Sequence, residues 1–218
     1  MKDDDIHKVI KILRKETRKW DVPTVTLTAE TTHDPFKILI STILSLRTQD
    51  TTTAKVSERL FELADNPYDM LKLGVEEIEK AIYPVGFYKT KARTILYLCR
   101  ELIGKYNSKV PDDLDELLKL KGVGRKTANL VTTLGYGKPG VCVDTHVHRI
   151  SNRWGYISTK TPYDTEMALR EKLPKKYWIE YNDLLVSLGQ HLCRPISPRC
   201  SECPIERLCE KRGVERSR

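Results

Sequence analysis

Leu117-Leu118-Lys119-Leu120-Lys121-Gly122-Val123-Gly124-Arg125-Lys126-Thr127-Ala128-Asn129 reads as a helix, a two-glycine hairpin and a second helix. Glycines 122 and 124 let the chain turn tightly and bring bare N–H groups close to an anion. The following helix adds unpaired N–H groups and the positive end of its dipole. Lys121 and Arg125 supply charge beside it, and Lys119 to Lys126 holds four cations and no acid. Such a turn, with Val123 at its centre, can hold one DNA phosphate without reading sequence. The same residues also suit an ordinary helical hairpin in which glycine only turns the chain.

Around this hairpin the period is helical nearly throughout. Ile6, Val9, Ile10, Leu13 and Trp20 line one face of an opening helix. Asp34-Pro35 is a cap with proline at the first helical position, leading into the apolar run Phe36 to Leu46. Val56, Leu60 and Leu63 mark the next helix, and Asn66-Pro67 divides it from a short one near Met70. Ile78 and Ile82 precede a turn at Pro84 and Gly86, and Ala92, Ile95, Cys99, Leu102, Ile103 and Tyr106 make a long amphipathic helix. Asp113 can cap a short helix through Leu120. Beyond the hairpin, helices are expected over Lys126 to Leu134, Thr145 to Trp154, Thr165 to Leu173 and Lys176 to His191. No alternating run is long enough for a sheet, and Val141 to Val143 offers only a brief extended piece. The expected fold class is all-α.

A chain of 218 residues with 39% apolar content can bury a real core in one large domain or two small lobes. Its net charge of +8 points to an anionic partner, and +3 of it lies between His191 and Arg218, where seven Arg or Lys face four Glu. Basic runs also serve as plain solvated faces. No stretch approaches the roughly 20 apolar residues of a membrane span. The opening MKDDDIHKVIKILRK lacks the apolar core of a signal peptide, so a reducing, cytoplasmic compartment is expected. There six cysteines do not form a disulfide framework.

Four of those cysteines, Cys193, Cys200, Cys203 and Cys209, crowd together as C-x6-C-x2-C-x5-C. Four thiolates so close suit one metal centre wrapped by the chain. Zinc usually takes two separated C-x2-C knuckles, whereas only one is present here. One all-cysteine [4Fe–4S] cluster matches better, with zinc the alternative. Arg194, Arg199 and Arg207 in the same loop suggest a DNA-facing surface. Cys99 and Cys142 fall in apolar surroundings and read as core.

Lys126 occupies the first turn of the helix after the hairpin, where the dipole disfavours an ammonium. A neutral amine there could attack a sugar carbon, whereas a charged one would contact phosphate. Asp144 begins the next helix, where the plain role is an N-cap. His146 and His148 have metal-like H-x-H spacing, but no third ligand is nearby, and packing with hydrogen bonding is the preferred reading.

Taken together, the hairpin, the segment Gly135-Tyr136-Gly137-Lys138-Pro139-Gly140, Val143-Asp144-Thr145-His146 and the cysteine spacing resemble the endonuclease III family of helix-hairpin-helix DNA glycosylases, over about Asp34 to Cys209. The resemblance implies two helical lobes flanking a DNA-binding cleft. Residues 30–139 would form a six-helix barrel lobe with the helix-hairpin-helix at about 113–134, and residues 1–29 and 140–218 a cluster lobe with its iron–sulfur loop at 193–209. It implies that Lys126 is the Schiff-base lysine of a bifunctional enzyme and that Asp144 stabilises the sugar cation. Gly86 to Ala92 resembles the family's intercalating loop with Phe87 as wedge, and Leu44 to Asp50 the other void-filling segment. Arg47 stands where the family usually has glutamine.

The implied activity is removal of oxidised or saturated pyrimidines from double-stranded DNA and nicking of abasic sites by β-elimination. A monomeric, nucleoid-associated protein of prokaryotic type is expected. The rivals are a monofunctional mismatch glycosylase, against which Lys126 and the lack of an added C-terminal recognition domain weigh, and a non-enzymatic DNA-binding module with a structural cluster. Core packing remains the plain alternative for Phe87.

Overall fold

The computed structural model describes Met1 and Asp3–Arg218. The helices are α1 (Asp5–Glu16), α2 (Thr24–Thr32), α3 (Pro35–Ser45), α4 (Asp50–Leu63), α5 (Pro67–Lys72) and α6 (Val75–Ile82). They continue with α7 (Tyr88–Tyr106), α8 (Leu114–Lys119), α9 (Arg125–Leu130), α10 (Thr145–Arg153), α11 (Pro162–Lys172) and α12 (Trp178–His191). Among the described residues there is no strand, so the protein is all-α. The chain divides into two compact units, Thr24–Lys138 and Met1–Pro23 with Pro139–Arg218.

The Thr24–Lys138 unit is built around α3. Asp34 caps it by accepting from the Phe36 N–H at 2.8 Å, and Pro35 fills the first turn. Phe36 and every residue from Ile38 to Leu44 are buried, as a helix packed on all sides requires. α2, α4, α7 and α9 surround it. α7 turns the stripe Ala92, Ile95, Leu96, Leu98, Cys99 and Leu102 inward. Lys91 is buried on the same helix.

The other unit gathers Ile6, Val9, Ile10 and Leu13 of α1 with Val147, Ile150 and Trp154 around Tyr181, Leu185 and Leu188 of α12. α10 and α12 cross closely at Gly189, where an added Cβ would lie 2.1 Å from His146 Nδ1. Cys99 and Cys142 are both core residues.

One local expectation changes, at the end of α1. α1 stops at Glu16, and a 3-10 turn over Thr17–Lys19 delivers Trp20 in extended backbone, so Trp20 leaves the apolar face of the helix. Thr17 Oγ1 bonds the Leu13 carbonyl at 2.9 Å, a local competitor of helix continuation, and Trp20 instead stacks on His191 at 4.6 Å. Val141 to Val143 is buried but carries no strand. The sequence TVTLTAETT, with five threonines of low helix propensity among its nine residues, forms α2. Its first turn is held from outside, since the Asp50 carboxylate accepts from the Thr24 N–H at 2.9 Å.

Candidate active site and nucleic-acid interface

The hairpin forms as its glycines require. Asp113 caps α8 through bonds from the Asp115 and Glu116 N–H groups, and the chain then turns through Lys121–Gly124 into α9. Gly122 holds φ +92°, and a Cβ there would meet Thr94 Cγ2 of α7 at 2.6 Å. A side chain is excluded twice over, by backbone conformation and by space. Gly124 differs. Its φ is −93° and an added Cβ meets nothing within 4 Å.

Val123 is buried and anchors the turn, while Lys121, Gly122 and Gly124 are exposed. Gly124, the N-cap of α9, makes no side-chain cap bond. The hairpin therefore presents two exposed glycines, exposed Lys121, half-buried Arg125 and a helix start at a glycine N-cap on one short segment. That combination is suited to an anion.

Lys126 sits half-buried in the first turn of α9. Thr127 to Leu130 behind it are buried, and the helix then widens into a π-helical turn over Val131–Gly135. Thr132 and Thr133 bond back to the Ala128 and Asn129 carbonyls, at 3.1 and 2.7 Å. In the other unit, Asp144 caps α10: one carboxylate oxygen accepts from the His146 and Val147 N–H groups, both at 2.8 Å. The carboxylate is thus fixed in orientation at the edge of the core. His148 Nδ1 pairs with Thr165 Oγ1 at 2.7 Å and His146 Nδ1 meets Arg149 Nη2 at 3.2 Å. Both histidines are tied to protein neighbours.

Arg47 and Phe87 come together. Each holds left-handed backbone, φ 52° and 58°, and the Arg47 guanidinium lies over the Phe87 ring at 5.5 Å. Phe87 is 63% exposed, so it is not a core residue. A left-handed non-glycine residue costs roughly 1–2 kcal/mol, and two such neighbours call for strong local restraint. Sequence reading passed over that restraint, which includes Lys91. Its Nζ donates to the Leu44 and Leu46 carbonyls at 2.7 and 2.6 Å and to Thr48 Oγ1 at 3.1 Å. Burial pushes its ammonium down to about 8, still protonated at neutral pH. The available signal was a lysine at i−4 from Ile95, on the apolar stripe of α7.

Cys193, Cys200, Cys203 and Cys209 line one pocket, with Arg153, Pro198, Arg199 and Lys211 among their neighbours. None of the four is joined in a disulfide. Among the described residues no three His, Cys, Asp or Glu side chains are arranged to hold a single metal ion. Burial pushes the Cys203 thiol up to about 12 and raises Cys209, so ionised sulfur here calls for a positive partner. Donors already point at sulfur: Arg153 Nη1 reaches Cys193 Sγ at 3.4 Å and the Lys211 N–H reaches Cys209 Sγ at 3.3 Å. Arg153, 6% exposed and unanticipated from sequence, also donates to the Arg194 carbonyl at 2.8 Å and the Pro195 carbonyl at 3.2 Å. In that loop Arg194 is exposed and Arg199 half-buried, with Arg199 pairing with Glu202 at 3.5 Å.

Comparison with known proteins supplies what geometry alone leaves open. The family model of the HhH-GPD superfamily base excision DNA repair proteins matches residues 40–175. The endonuclease III of Thermotoga maritima is 48% identical over 177 residues, 81% of this chain and 83% of that protein. The chain belongs to the endonuclease III family. The Escherichia coli K12 endonuclease III is 38% identical over 176 residues, again 81% of this chain and 83% of that protein. A trapped endonuclease III–DNA covalent intermediate has the same fold, with a TM-score of 0.86 over 97% of each chain at 36% identity. As a member of this family, the protein is a base excision repair enzyme, a bifunctional DNA glycosylase and abasic-site lyase for oxidised pyrimidines.

Proposed function

We propose that Lys126 is the nucleophile of both reactions and that Asp144 is the carboxylate that stabilises the sugar cation. The Lys126 amine attacks C1′ of the damaged nucleotide, the N-glycosidic bond breaks, and the base leaves with a proton. The C1′–O4′ bond then opens as O4′ takes a proton, the protonated imine so formed acidifies C2′, loss of a C2′ proton follows, and the C3′–O bond breaks to release the 3′ phosphate. Asp144, held by two N–H donors, offers a fixed negative charge to the developing oxocarbenium ion. Supporting the assignment, Lys126 directly follows the hairpin, and a relative of the same fold was captured covalently on DNA.

The partner is double-stranded DNA carrying damaged bases or abasic sites. Lys121 to Arg125 would hold a phosphate, Arg194 and Arg199 further phosphates, and Arg47 and Phe87 would enter the duplex where a nucleotide is flipped out. The two units would be the helix-hairpin-helix lobe and the cluster lobe. Cys193, Cys200, Cys203 and Cys209 would hold one [4Fe–4S] cluster. A pocket lined by four buried or half-buried thiols with N–H donors on sulfur fits it, because a cubane takes one thiolate per iron. When bound, the cluster cross-links the loop and fixes Arg194 and Arg199. No helix among the described residues is long and apolar enough to cross a membrane. A monomer in the prokaryotic cytoplasm, associated with the nucleoid, fits this reading.

Borohydride trapping on an abasic duplex tests it. Wild type should give a covalent adduct, and Lys126→Gln should give none while retaining DNA affinity. An equal adduct from the variant would assign the nucleophile to another amine, and no adduct from either would favour a monofunctional enzyme.

A further inference from the structure

Lys91 is a buried cation that the proposed chemistry does not use. It stands in the first turn of α7, 6% exposed, too deep to reach a phosphate. Its three N–H bonds meet three acceptors, the Leu44 and Leu46 carbonyls and Thr48 Oγ1. These acceptors bracket Arg47. The Leu44 and Leu46 carbonyls belong to the C-terminal end of α3, where a lysine is favourably placed against the helix dipole.

A second contact closes the arrangement. Thr48 Oγ1 also accepts from the Gly86 N–H at 3.2 Å, and a Cβ at Gly86 would lie 2.6 Å from the Arg47 carbonyl oxygen. The segments Leu44–Thr48 and Gly86–Lys91 are therefore clamped back to back, and only glycine permits the approach. What projects from the clamp is the exposed pair Arg47 and Phe87, stacked and both left-handed.

We infer that Lys91 is a positioning residue for damage recognition: it locks Arg47 and Phe87 into one preassembled element, so that wedge and base reader enter the duplex together. This rests on the proposed entry of Arg47 and Phe87 into DNA. A flexible pair would have to be ordered on binding, whereas a locked pair needs no such reorganisation. Lys91 acts through Arg47 and Phe87 and touches no substrate.

The experiment uses the full chain with its cluster and compares Lys91→Met, Arg47→Ala, Phe87→Ala and the two doubles with Lys91→Met. One readout is the ratio of affinities for duplexes with and without a non-cleavable abasic analogue. The other is fluorescence of 2-aminopurine opposite that analogue, which reports unstacking. A third, borohydride trapping on a single-stranded abasic oligonucleotide, needs no base flipping and should be unchanged in Lys91→Met.

Lys91→Met is expected to lower the affinity ratio roughly tenfold and to blunt the fluorescence rise, with each double no worse than its poorer parent. Unchanged ratio and fluorescence in a folded Lys91→Met overturn the inference, as do losses that multiply in the doubles. If Lys91→Met does not fold, Thr48→Val, which removes the shared hydroxyl without stranding a charge, carries the same comparison. Should Arg47→Ala and Phe87→Ala themselves leave the ratio intact, the entry of these residues into DNA fails instead.

Discussion

The Arg47 guanidinium lies 5.5 Å from the centre of the Phe87 ring, and the two residues share left-handed backbone. The pairing bears on which base is read opposite the damage. A guanidinium only donates, so it matches the O6 and N7 acceptors of guanine and meets a donor at N6 of adenine. Wild type should therefore turn over a damaged pyrimidine faster opposite guanine than opposite adenine. Arg47→Gln, which can both donate and accept, should shift that ratio toward adenine by roughly tenfold, within the usual worth of a bidentate contact. Single-turnover rates on paired duplexes measure it, and an unchanged ratio would remove Arg47 from base reading.

Gly122 and Gly124 separate turning from binding. Gly122→Ala puts a Cβ 2.6 Å from Thr94 Cγ2 at φ +92° and should destabilise the protein by more than about 1 kcal/mol. Gly124→Ala meets open space at φ −93° and should leave the melting temperature nearly unchanged. It should still weaken DNA binding roughly tenfold, because the new methyl group stands between a phosphate and the backbone N–H groups. Normal affinity in Gly124→Ala would reduce the hairpin to a turn.

Asp144 caps α10 through one oxygen, so its two roles can be divided by substitution. Asn keeps an accepting oxygen and loses the charge; Ala loses both. Asp144→Asn should melt near wild type yet slow the chemical step strongly. Asp144→Ala should also lose about 1 kcal/mol of stability. Equal rates for Asn and wild type would leave Asp144 as a cap only.

Salt dependence tests the arginines of the cysteine loop. Arg194 is exposed and Arg199 is only loosely paired with Glu202. If each meets a phosphate, Arg194→Ala and Arg199→Ala should each reduce the slope of log affinity against log salt by about 0.9. The reduction should be alike on damaged and undamaged DNA, whereas Phe87→Ala, losing no charge, should leave the slope alone. A slope unmoved by both arginine variants would place DNA elsewhere.

The linear sequence by itself determined the all-helical class, the hairpin and the cysteine cluster, because each depends on neighbours close in the chain. Apolar spacing along α7, the Asp34-Pro35 and Asp113 caps and the left-handed turn at Gly122 are local consequences of residue type. The α2 helix is different: its threonines favour no helix, and an Asp50 carboxylate 26 positions away holds its start. Arg153 on a cysteine sulfur and Lys91 on two carbonyls are likewise contacts across 40 or more positions. Read along the chain, Arg153 looks like a solvated cation, and the place of Lys91 on the apolar stripe of α7 hints at burial without naming its acceptors. Only the tertiary structure buried them, and a buried charge must find its partners wherever packing brings acceptors within reach.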